Sequence, residues 1–451
     1  MRRGGSQGAP VLGTEQPRRR APDRGHDGRD GQRVTDLPTI SVIVASWQRP
    51  DALRRCLTGL RQQDHPQLEL CIVADHAACE AVVAPMRTAG VGCKLAVADV
   101  PNLSVARNAG LALAAGDVVA FIDDDAVAEP TWASRLAAAF RTPGVIAATG
   151  FTRGRNGISF QWTAAEVDAT GQDHALHLPP GISLRAGTSR QAVKPVGTNC
   201  AFDRKVLLAI GGFDLAYRFY LEDADVALRL APHGLTAIVP DAQVHHGFEA
   251  SARRRADRVP LDLREIGASS MVFLRRHAGE REWAAALDRL RGDQRHRLLR
   301  HMVAGRIEPR DVELLLRGLD AGIAEGAARP LQGLPPLPAG DAAFLPLPAT
   351  GARPGVVIAG RVWQRMKLAH RARAAVASGA VTTVLRFSPT ALRHRAGFHP
   401  DGYWLQWGGL FGAAQRDEPA FRLVSFQSRV TRECHRWAEV RPCPSDTSRA
   451  S

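Results

Sequence analysis

The stretch Val118-Val119-Ala120-Phe121-Ile122-Asp123-Asp124-Asp125 joins five consecutive apolar residues to three consecutive carboxylates. The apolar run predicts a buried β-strand, and the aspartates then emerge where the strand ends. Adjacent carboxylates repel one another, so a bound cation explains them best, since hard divalent ions such as Mg²⁺ are held by one or two carboxylates and by substrate phosphates. The alternative is an acidic loop that caps the next helix, because acidic side chains favour helix N-termini.

A second acidic group, Glu222-Asp223-Ala224-Asp225, follows the turn sequence Gly211-Gly212-Phe213-Asp214. A carboxylate in this group can act as a general base if a substrate hydroxyl comes within hydrogen-bond distance. The competing interpretation is an acidic first turn that stabilises a helix over residues 224–230 through the helix dipole. Both interpretations can hold for different acids of the group.

The chain around the first acidic group alternates strands with helices, which is the pattern of a parallel sheet with crossover helices. The predicted elements are strands at residues 40–45, 68–74 and 95–98 and at the apolar run, with helices starting at Pro50 and spanning residues 104–115. In such sheets, ligands lie outside the carboxyl ends of the strands. Because Trp47, Arg49, Asp75 and the Asp123 group all follow a strand, we expect them to line a substrate crevice.

The rest of the chain divides by composition. Its beginning is rich in Gly, Arg and Pro without periodicity, which predicts disorder. The predicted organisation is a disordered basic tail over residues 1–36, an α/β domain over 37–250, a basic helical region over 251–330, a Pro-rich linker over 331–354 and a C-terminal domain of unknown role over 355–445. The α/β domain therefore contains both acidic groups.

Composition indicates a soluble, folded protein of more than one domain. The chain has 451 residues, of which 45% are hydrophobic and 23% charged, as in an ordinary folded enzyme. No apolar run reaches the roughly 18 residues of a membrane span, and the N-terminus has no apolar core like that of a signal peptide. We therefore expect a cytoplasmic protein. Seven cysteines without a Cys-x-x-Cys pair argue against disulfides and a zinc site.

The net charge of +14 is compatible with several anionic partners. A nucleic acid is disfavoured, because the chain has no zinc-finger, homeodomain or RNA-recognition pattern. A phosphate-rich substrate or an anionic membrane surface explains the charge equally well. Because much of the charge lies in the basic helical region, we expect that region to attract an anionic surface or a phosphate-bearing acceptor, which would place the protein at the inner face of the membrane as a peripheral protein.

Residues 39–247 resemble the family 2 inverting glycosyltransferases with the GT-A fold, because their motifs occur in that family's order. The motifs are Ser41-Val42-Ile43-Val44, Trp47-x-Arg49-Pro50, Ala106-Arg107-Asn108-Ala109-Gly110, Phe121-Ile122-Asp123-Asp124-Asp125, Gly197-Thr198-Asn199, Gly211-Gly212-Phe213-Asp214, Glu222-Asp223-Ala224-Asp225 and His245-His246. Each motif alone is weak, but coincidence across the ordered set is improbable. The resemblance implies an α/β fold with a Rossmann-like mixed sheet and helices on both faces. The sequence pattern beyond residue 250 adds a helical and mixed C-terminal extension, which the resemblance does not cover.

The resemblance also implies a nucleotide-diphosphate-sugar donor. Trp47 would stack on the base, Arg49 would meet phosphate, and Asp75 would accept hydrogen bonds from the base. The implied donor-binding residues are Trp47, Arg49, Asp75, Arg107, Asn108, Asp123 and Asn199. The sequence departs from the family at Ala74-Asp75-His76, where a pair of acids is more usual, and Trp47 has the alternative role of a core aromatic near the rim of the site.

A Mn²⁺ or Mg²⁺ ion is implied beside the donor diphosphate. Asp123 and Asp125 resemble the two acids of the family's Asp-x-Asp motif, and Asp124 should point elsewhere because alternate side chains of a strand diverge. His246 resembles the family's downstream histidine that completes the metal ligands, with His245 as the competing choice. The implied metal ligands are therefore Asp123, Asp125 and His246.

Asp223 resembles the catalytic base of an inverting transfer, which takes the proton from the attacking acceptor hydroxyl. Glu222 and Asp225 would support it or contact the acceptor, which we expect to be a glycan or a lipid-linked molecule. A nucleotidyltransferase of the same fold is disfavoured, because the second acidic group and His246 would then lack a role. A non-catalytic sugar- or nucleic-acid-binding protein is disfavoured by the intact acids. The favoured function is an inverting glycosyltransferase without a nucleic-acid partner.

Overall fold

A mixed β-sheet with helices on both faces organises the structure, a computed structural model that describes residues 37–247, 249–348 and 350–443. From Leu37 onward the chain forms one compact unit, and the predicted tail over residues 1–36 lies outside the described residues. The strands are β1 (Ile40–Ser46), β2 (Leu68–Ala74), β3 (Lys94–Val97), β4 (Val118–Asp123), β5 (Ala126–Ala128), β6 (Val145–Arg153), β7 (Phe160–Trp162), β8 (Ala165–Asp168), β9 (Asp173–Ala175), β10 (Ser183–Ala186), β11 (Gln191–Val193), β12 (Cys200–Asp203), β13 (Leu235–His246), β14 (Gly355–Arg361), β15 (Val381–Ser388), β16 (Arg395–Phe398) and β17 (Trp404–Gly409). The α-helices are Pro50–Leu60, His76–Ala78, Ala84–Thr88, Leu103–Leu113, Trp132–Ala139, Arg204–Ala209, Glu222–Leu230, Arg264–His277, Glu280–Val303, Pro309–Ala328, Arg365–Ala377 and Phe426–Trp437.

The strands of the main sheet follow the order β10-β13-β6-β12-β4-β1-β2-β3, with β5 paired to β13 and β7 to β6. β3, β2, β1 and β4 run parallel, whereas β12 and β10 run antiparallel to their neighbours. β1 can lie in the middle because Ile-Ser-Val-Ile-Val-Ala-Ser is rich in β-branched residues and buried on both faces. This mixed α/β architecture is the predicted one.

The parallel strands end together at one edge of the sheet. Ser46 at the end of β1 pairs with Ala74 at the end of β2, and Ala45 pairs with Asp123 at the end of β4. Side chains that follow these strands, including Trp47, therefore lie along one crevice. The register of the sheet thus places the first acidic group where the sequence predicts it.

The helix Leu103–Leu113 packs directly on β1 through a glycine. A Cβ atom at Gly110 would overlap the side chain of Ile43, so only glycine allows the helix to approach the strand this closely. The side chain of Asn102 caps the helix by accepting a backbone N–H of the first turn. This close packing brings Arg107, a buried residue of the same helix, to the ends of the strands.

The basic region is helical as predicted, and its helices are Arg264–His277, Glu280–Val303 and Pro309–Ala328. Phe273 of this region packs with Tyr217 and Leu221, which precede the second acidic group. Part of the region's charge is neutralised internally, as between Arg291 and Asp320 at 2.7 Å. The region therefore supports the loop that leads into the second acidic group. Among the described helices, none combines the length and the apolar character required to cross a membrane.

The segment predicted as a linker is fastened to the main sheet. Over residues 331–348, which we call the strap, the chain forms neither helix nor strand. The backbone N–H of Leu345 donates to the buried carboxylate of Glu69 at 2.8 Å, and that of Leu347 donates to the carbonyl of Leu68 at 2.7 Å. The strap therefore crosses the edge of the sheet where β2 begins, which is opposite the crevice.

The C-terminal part of the chain forms a separate sheet within the same compact unit. Its strands follow the order β14-β15-β17-β16, in which β14, β15 and β17 are parallel and β16 is antiparallel. Trp404 of β17 is fully buried against Val127 of β5, and the N–H of Ala396 donates to the carbonyl of Asn156 at 2.8 Å. The second sheet therefore packs on the part of the main sheet that β5 and β6 form.

A buried ion pair closes this contact. Nε and Nη2 of Arg441 donate to the carboxylate of Glu129 at 2.6 and 2.7 Å, and Nε2 of His245 lies 2.6 Å from the same carboxylate. The guanidinium lies 4.0 Å from the ring centres of Trp404 and Trp437. Burial acts to raise the pKa of Glu129, but the Arg441 charge and the His245 hydrogen bond outweigh it and lower the pKa to about 2. Glu129 is therefore ionised at neutral pH.

We expect Arg441→Met to destabilise the fold by about 3 to 5 kcal/mol at pH 7, because the substitution leaves a buried carboxylate without its cation. Urea denaturation gives the free energy of unfolding of the variant and of the wild type. Arg416→Met, at an exposed arginine, is the matched control and should change that free energy by less than about 0.5 kcal/mol.

The same pair predicts how stability depends on pH. Because folding lowers the pKa of Glu129 from an ordinary 4.5 to about 2, its stabilisation is complete above pH 4.5 and is lost as the pH falls toward 2. The free energy of unfolding of the wild type should therefore fall more steeply over this window than that of Arg441→Met. Equal slopes would contradict the ionised pair.

Candidate active site

The aspartates at the end of β4 point to different sides of the chain. Asp124 is fully buried, where the Ser46 hydroxyl donates to it at 2.7 Å and Nη2 of Arg49 lies 2.5 Å from its other oxygen. Burial raises the pKa of Asp124 to about 7, although the Arg49 charge opposes this. The side chain of Asp123, in contrast, is 32% exposed. Asp124 is thus buried while Asp123 is accessible, although β4 ends at Asp123 and residues 124–125 form a turn rather than extended strand.

Asp123, Asp125 and His246 converge beside the crevice. One ligand atom of each residue lies within 4.8 Å of the others, and Nε2 of His246 is 3.2 Å from Asp125 and 4.0 Å from Asp123. Burial acts to raise the pKa of Asp125, but the hydrogen bond and charge of His246 and the charge of Arg49 hold it well below its ordinary value. Two carboxylates and one imidazole could therefore hold a divalent ion such as Mn²⁺.

The neighbouring histidine is occupied elsewhere. His245 is buried against the rings of Trp404 and Trp437 and contacts Glu129, so β13 presents the next residue, His246, to the opposite side. Burial lowers the pKa of His245, which leaves a neutral ring that donates its Nε2–H to Glu129. Of the two histidines, it is therefore His246 that meets the aspartates.

The helix Glu222–Leu230 starts after a strained turn. Tyr220 and Leu221 have φ angles of 75° and 66°, in the left-handed region that residues other than glycine rarely adopt. The turn leaves Asp223 half-buried at the start of the helix, where it accepts the backbone N–H of Gly197 at 3.1 Å. Asp223 thus has a carboxylate that is held in place and is still accessible.

Arg107 joins the two acidic groups. Its buried guanidinium lies 2.8 Å from Glu222 and 3.6 Å from Asp123, and it donates to the carbonyl of Gly197 at 3.1 Å. Burial raises the pKa of Glu222 to about 7, although the Arg107 charge opposes this. The sequence predicts Arg107 as a donor-binding residue, whereas the structure places it among the carboxylates, where it fixes their spacing.

Asp225 is directed away from the crevice. It is fully buried, forms an ion pair with Arg229 at 2.6 Å and lies 2.8 Å from Nε2 of His277. Burial acts to raise its pKa, but Arg229 and His277 lower it overall. Side chains two positions apart on an α-helix diverge by about 200°, so Asp223 and Asp225 point in different directions. The catalytic role of Asp225 stays a prediction, and its contacts in the structure are with Arg229 and His277.

Two asparagines are predicted to bind the donor. In the structure, both form hydrogen bonds within the protein, to backbone groups or to a core side chain. Asn108 donates to the carbonyl of Phe213 at 2.7 Å and accepts its N–H at 2.9 Å. Asn199 is fully buried, accepts the Nε1–H of Trp132 at 2.8 Å and donates to two backbone carbonyls. These hydrogen bonds are internal and position the neighbouring backbone, and the donor-binding roles of both asparagines stay predictions.

Three further donor-side residues lie after β1 and β2. Trp47 is half-buried. Arg49, with a side chain 26% exposed, contacts Asp124, and its contact with phosphate stays a prediction. Asp75 accepts the backbone N–H of Gln48 at 2.5 Å and also caps the short helix that follows β2. These contacts hold the loop after β1 against the end of β2, next to the metal-facing aspartates.

Lys194 is a candidate site residue that the sequence analysis did not identify. Its Nζ lies 3.1 Å from Asp173, and the side chain is almost fully buried. Burial acts to lower the pKa of Lys194, but the charges of Asp223 and Asp173 raise it overall. The sequence signal that could have identified Lys194 is the rarity of lysine. The chain has four lysines, and its other basic residues are arginine and histidine.

Residues 41–211 match the family model described as glycosyl transferase family 2. The match includes Asp123, Asp125 and Asn199 and ends before Asp223 and His246. The chain thus contains a family 2 glycosyltransferase domain, and the resemblance recognised from the motifs is confirmed over this range.

The similar known proteins are also glycosyltransferases. A glucosyl-dolichyl phosphate glucuronosyltransferase of Haloferax volcanii is 28% identical over 181 residues, which are 39% of this chain and 56% of that protein, so this chain spans little more than half of its length. A mannosyltransferase of Pyrobaculum calidifontis, solved with GDP-Man and Mn²⁺, is 17% identical, with coverage of 66% of this chain and 75% of that chain and a TM-score of 0.37. GalNAc-T7, solved with UDP, GalNAc and Mn²⁺, is 15% identical, with coverage of 53% of this chain and 48% of that chain and a TM-score of 0.40.

We expect Mn²⁺ binding to depend on His246. His246→Ala should weaken the affinity for Mn²⁺ at least about tenfold, since even a change in a residue that only orients a metal ligand costs that much. Titration followed by the EPR signal of free Mn²⁺ measures the affinity. His233→Ala, at an exposed histidine, is the matched control and should bind like the wild type. Unchanged affinity in His246→Ala would remove His246 from the metal site.

Proposed function

We propose, on the premise of the family 2 glycosyltransferase domain, that the protein is a metal-dependent inverting glycosyltransferase. It would move a sugar from a nucleotide-diphosphate donor to a hydroxyl of a glycan or lipid-linked acceptor. The observation that carries the proposal is the pairing of the two acidic groups through Arg107, which contacts Asp123 on one side and Glu222 on the other. The accessible Asp223 follows Glu222 directly. This arrangement brings a cation site for the leaving group and a carboxylate for the acceptor into one crevice.

The donor would lie along the carboxyl ends of β1, β2 and β4. Asp123, Asp125 and His246 would hold Mn²⁺ or Mg²⁺, and such an ion, when bound, supplies Lewis-acid stabilisation of the leaving diphosphate. Trp47 offers a ring face for stacking the base. Asp75 keeps acceptor capacity for the base, because each carboxylate oxygen has two lone pairs and its present partners are backbone N–H groups.

Asp223 is the proposed general base because the two other acids of its group are occupied. Glu222 is paired with Arg107, and Asp225 is paired with Arg229. The backbone N–H of Gly197 orients the Asp223 carboxylate, which would take the proton from the acceptor hydroxyl as that oxygen attacks the anomeric carbon. The bond to the nucleotide diphosphate breaks on the opposite face of the sugar, and the anomeric configuration inverts.

A phosphate-bearing lipid is the acceptor carrier that we favour within this proposal. The Haloferax relative is named for a dolichyl-phosphate-linked substrate. The net charge of +14 suits a phosphate-bearing acceptor, and it suits peripheral association with an anionic membrane that presents such an acceptor.

We expect nucleoside diphosphate to be released from a matching nucleotide-sugar only when Mn²⁺ or Mg²⁺ is present. A panel of nucleotide-sugars, assayed with and without chelator, tests this expectation. Proton NMR of the first-formed product should show the anomeric configuration inverted relative to the donor. Sugar 1-phosphate as the released species would indicate nucleotidyl transfer, and retained configuration would exclude the single displacement.

We expect Asp223→Asn to lower kcat about a hundredfold or more, with donor affinity nearly unchanged, because the amide keeps the size of the side chain but cannot accept the proton. Asp225→Asn is the matched comparison, since it removes a buried charge outside the crevice. It should lower the melting temperature while the folded protein keeps near-normal turnover. Turnover close to wild type in Asp223→Asn would exclude this residue as the base.

A further inference from the structure

The carboxyl end of the second sheet exposes large apolar side chains. Six of them follow β14, β15 and β17 in the chain and show between 42% and 79% of their surface: Val362, Trp363, Met366, Leu392, Phe421 and Leu423. Scattered exposed apolar residues are normal, but a group at one edge marks an interaction site. We call this group the apolar rim.

The residues of the apolar rim are neighbours because β14, β15 and β17 are in register up to their last residues. Trp363 follows the end of β14 directly. Leu392, which follows β15, accepts the backbone N–H of Gly409 at the end of β17 at 2.8 Å. The ring of Phe421 packs 5.6 Å from that of Phe411, which also follows β17. The segments after all three strands therefore meet at one edge.

The segment that supplies four of the six rim residues is rich in positive charge. Residues 355–400 contain no Asp or Glu and carry eight basic side chains, which are Arg361, Arg365, Lys367, Arg371, Arg373, Arg386, Arg393 and Arg395. Arg365, Lys367, Arg393 and Arg395 are exposed. Cations beside exposed aromatic and aliphatic residues form the pattern of a surface that lies at a membrane interface.

A small cleft adjoins the rim. It has a volume of about 160 Å³ and lies where the helix Arg365–Ala377 meets the second sheet. Arg365, Arg386 and Tyr403 line it, together with Met366 of the rim. Two guanidinium groups and a phenol hydroxyl supply hydrogen-bond donors of the kind that bind a phosphate. The cleft thus places phosphate-binding groups directly beside an exposed apolar side chain.

We propose that the apolar rim and its arginines bind the surface of an anionic phospholipid bilayer. Trp363, Met366 and Leu423 enter the headgroup region, and Arg365 and Lys367 meet lipid phosphates. A lipid surface fits better than a protein partner, because the cores of protein interfaces are depleted of charge and residues 355–400 at this edge carry eight basic side chains and no acid. The inference rests on the proposed function only for the biological role of membrane binding. Lipid binding itself can be measured without sugar transfer.

The structure favours this edge over the basic helical region, to which the sequence analysis assigned the membrane contact. In that region Arg264 is paired with Glu325 at 2.8 Å and Arg291 with Asp320 at 2.7 Å. Such ion pairs reduce the positive electrostatic potential that this region presents to an anionic membrane. Residues 355–400, by contrast, contain no acid, and the neighbouring Asp401 pairs with Arg373 rather than with the rim cations Arg365 and Lys367.

Co-sedimentation with vesicles tests the proposal. The full-length wild type should bind vesicles of 70% phosphatidylcholine and 30% phosphatidylglycerol and should not bind pure phosphatidylcholine. Trp363→Ser with Met366→Ser should reduce the bound fraction at least fivefold. Val303→Ser with Leu314→Ser, at exposed apolar residues of the basic helical region, is the matched control and should bind like the wild type.

The charge contribution is tested in parallel. Arg365→Gln with Lys367→Gln should reduce binding to the anionic vesicles severalfold, and added salt should reduce binding of the wild type. Arg295→Gln with Arg300→Gln, at exposed arginines of the helix Glu280–Val303, removes the same charge elsewhere and should leave binding largely intact. Brominated lipid should quench fluorescence from Trp363, the most exposed tryptophan of the described chain.

Several outcomes would overturn the proposal. Wild-type protein that stays in the supernatant with anionic vesicles, or a rim variant that binds like the wild type, would exclude the rim as a lipid site. Loss of binding in the helical-region variants alone would move the contact to that region. Concentration-dependent dimerisation that Trp363→Ser abolishes, without vesicle binding, would show that a second copy covers the rim. Circular dichroism melting of each variant, together with donor-dependent nucleotide release, separates these results from misfolding and from failure of the proposed transfer.

Discussion

The buried carboxylate of Glu129 is the constraint on which most of the structure depends. Ionised and removed from water, it is stable only with its cation Arg441 and with the His245 ring in place. Because His245 lies on the side of β13 that faces Glu129, the next residue, His246, lies on the opposite side, where it contacts Asp125. The same pair attaches the end of the chain, with Trp404 and Trp437 against the guanidinium. One ion pair thus links the docking of the second sheet to the geometry of the candidate metal site.

Arg107 has the corresponding role within the crevice. Acids from β4 and from the helix Glu222–Leu230 would repel each other if brought together unaided, and the guanidinium between Asp123 and Glu222 removes that repulsion. Lys194 adds a second buried cation near Asp223. A crevice in which charges are positioned before substrate arrives spends no free energy on reorganisation during the reaction. The two buried cations therefore explain how so many carboxylates can share one site.

The parts of the molecule that the sequence predicts well are those governed by local pattern. The run that ends at Asp123 has the composition of a buried strand, and parallel register then places the strand ends together. Directions of side chains were harder to predict. Asp225 and Asn199 belong to motifs of the site, yet they contact His277 and Trp132, which are distant in the sequence and lie on other elements. The choice of His246 depends on Glu129, which no local pattern connects to it.

The Glu129–Arg441 pair joins residues 312 positions apart, which has a consequence for biosynthesis. At 5 to 20 residues per second, a ribosome takes about 15 to 60 s to travel from the first of these codons to the second. Throughout that interval, the nascent chain contains Glu129, which is buried in the folded protein, but it does not yet contain Arg441, the cation that pairs with it. The main sheet therefore cannot complete its packing until Arg441 has been synthesised, and nascent chains of this protein should be long-lived clients of ribosome-associated chaperones.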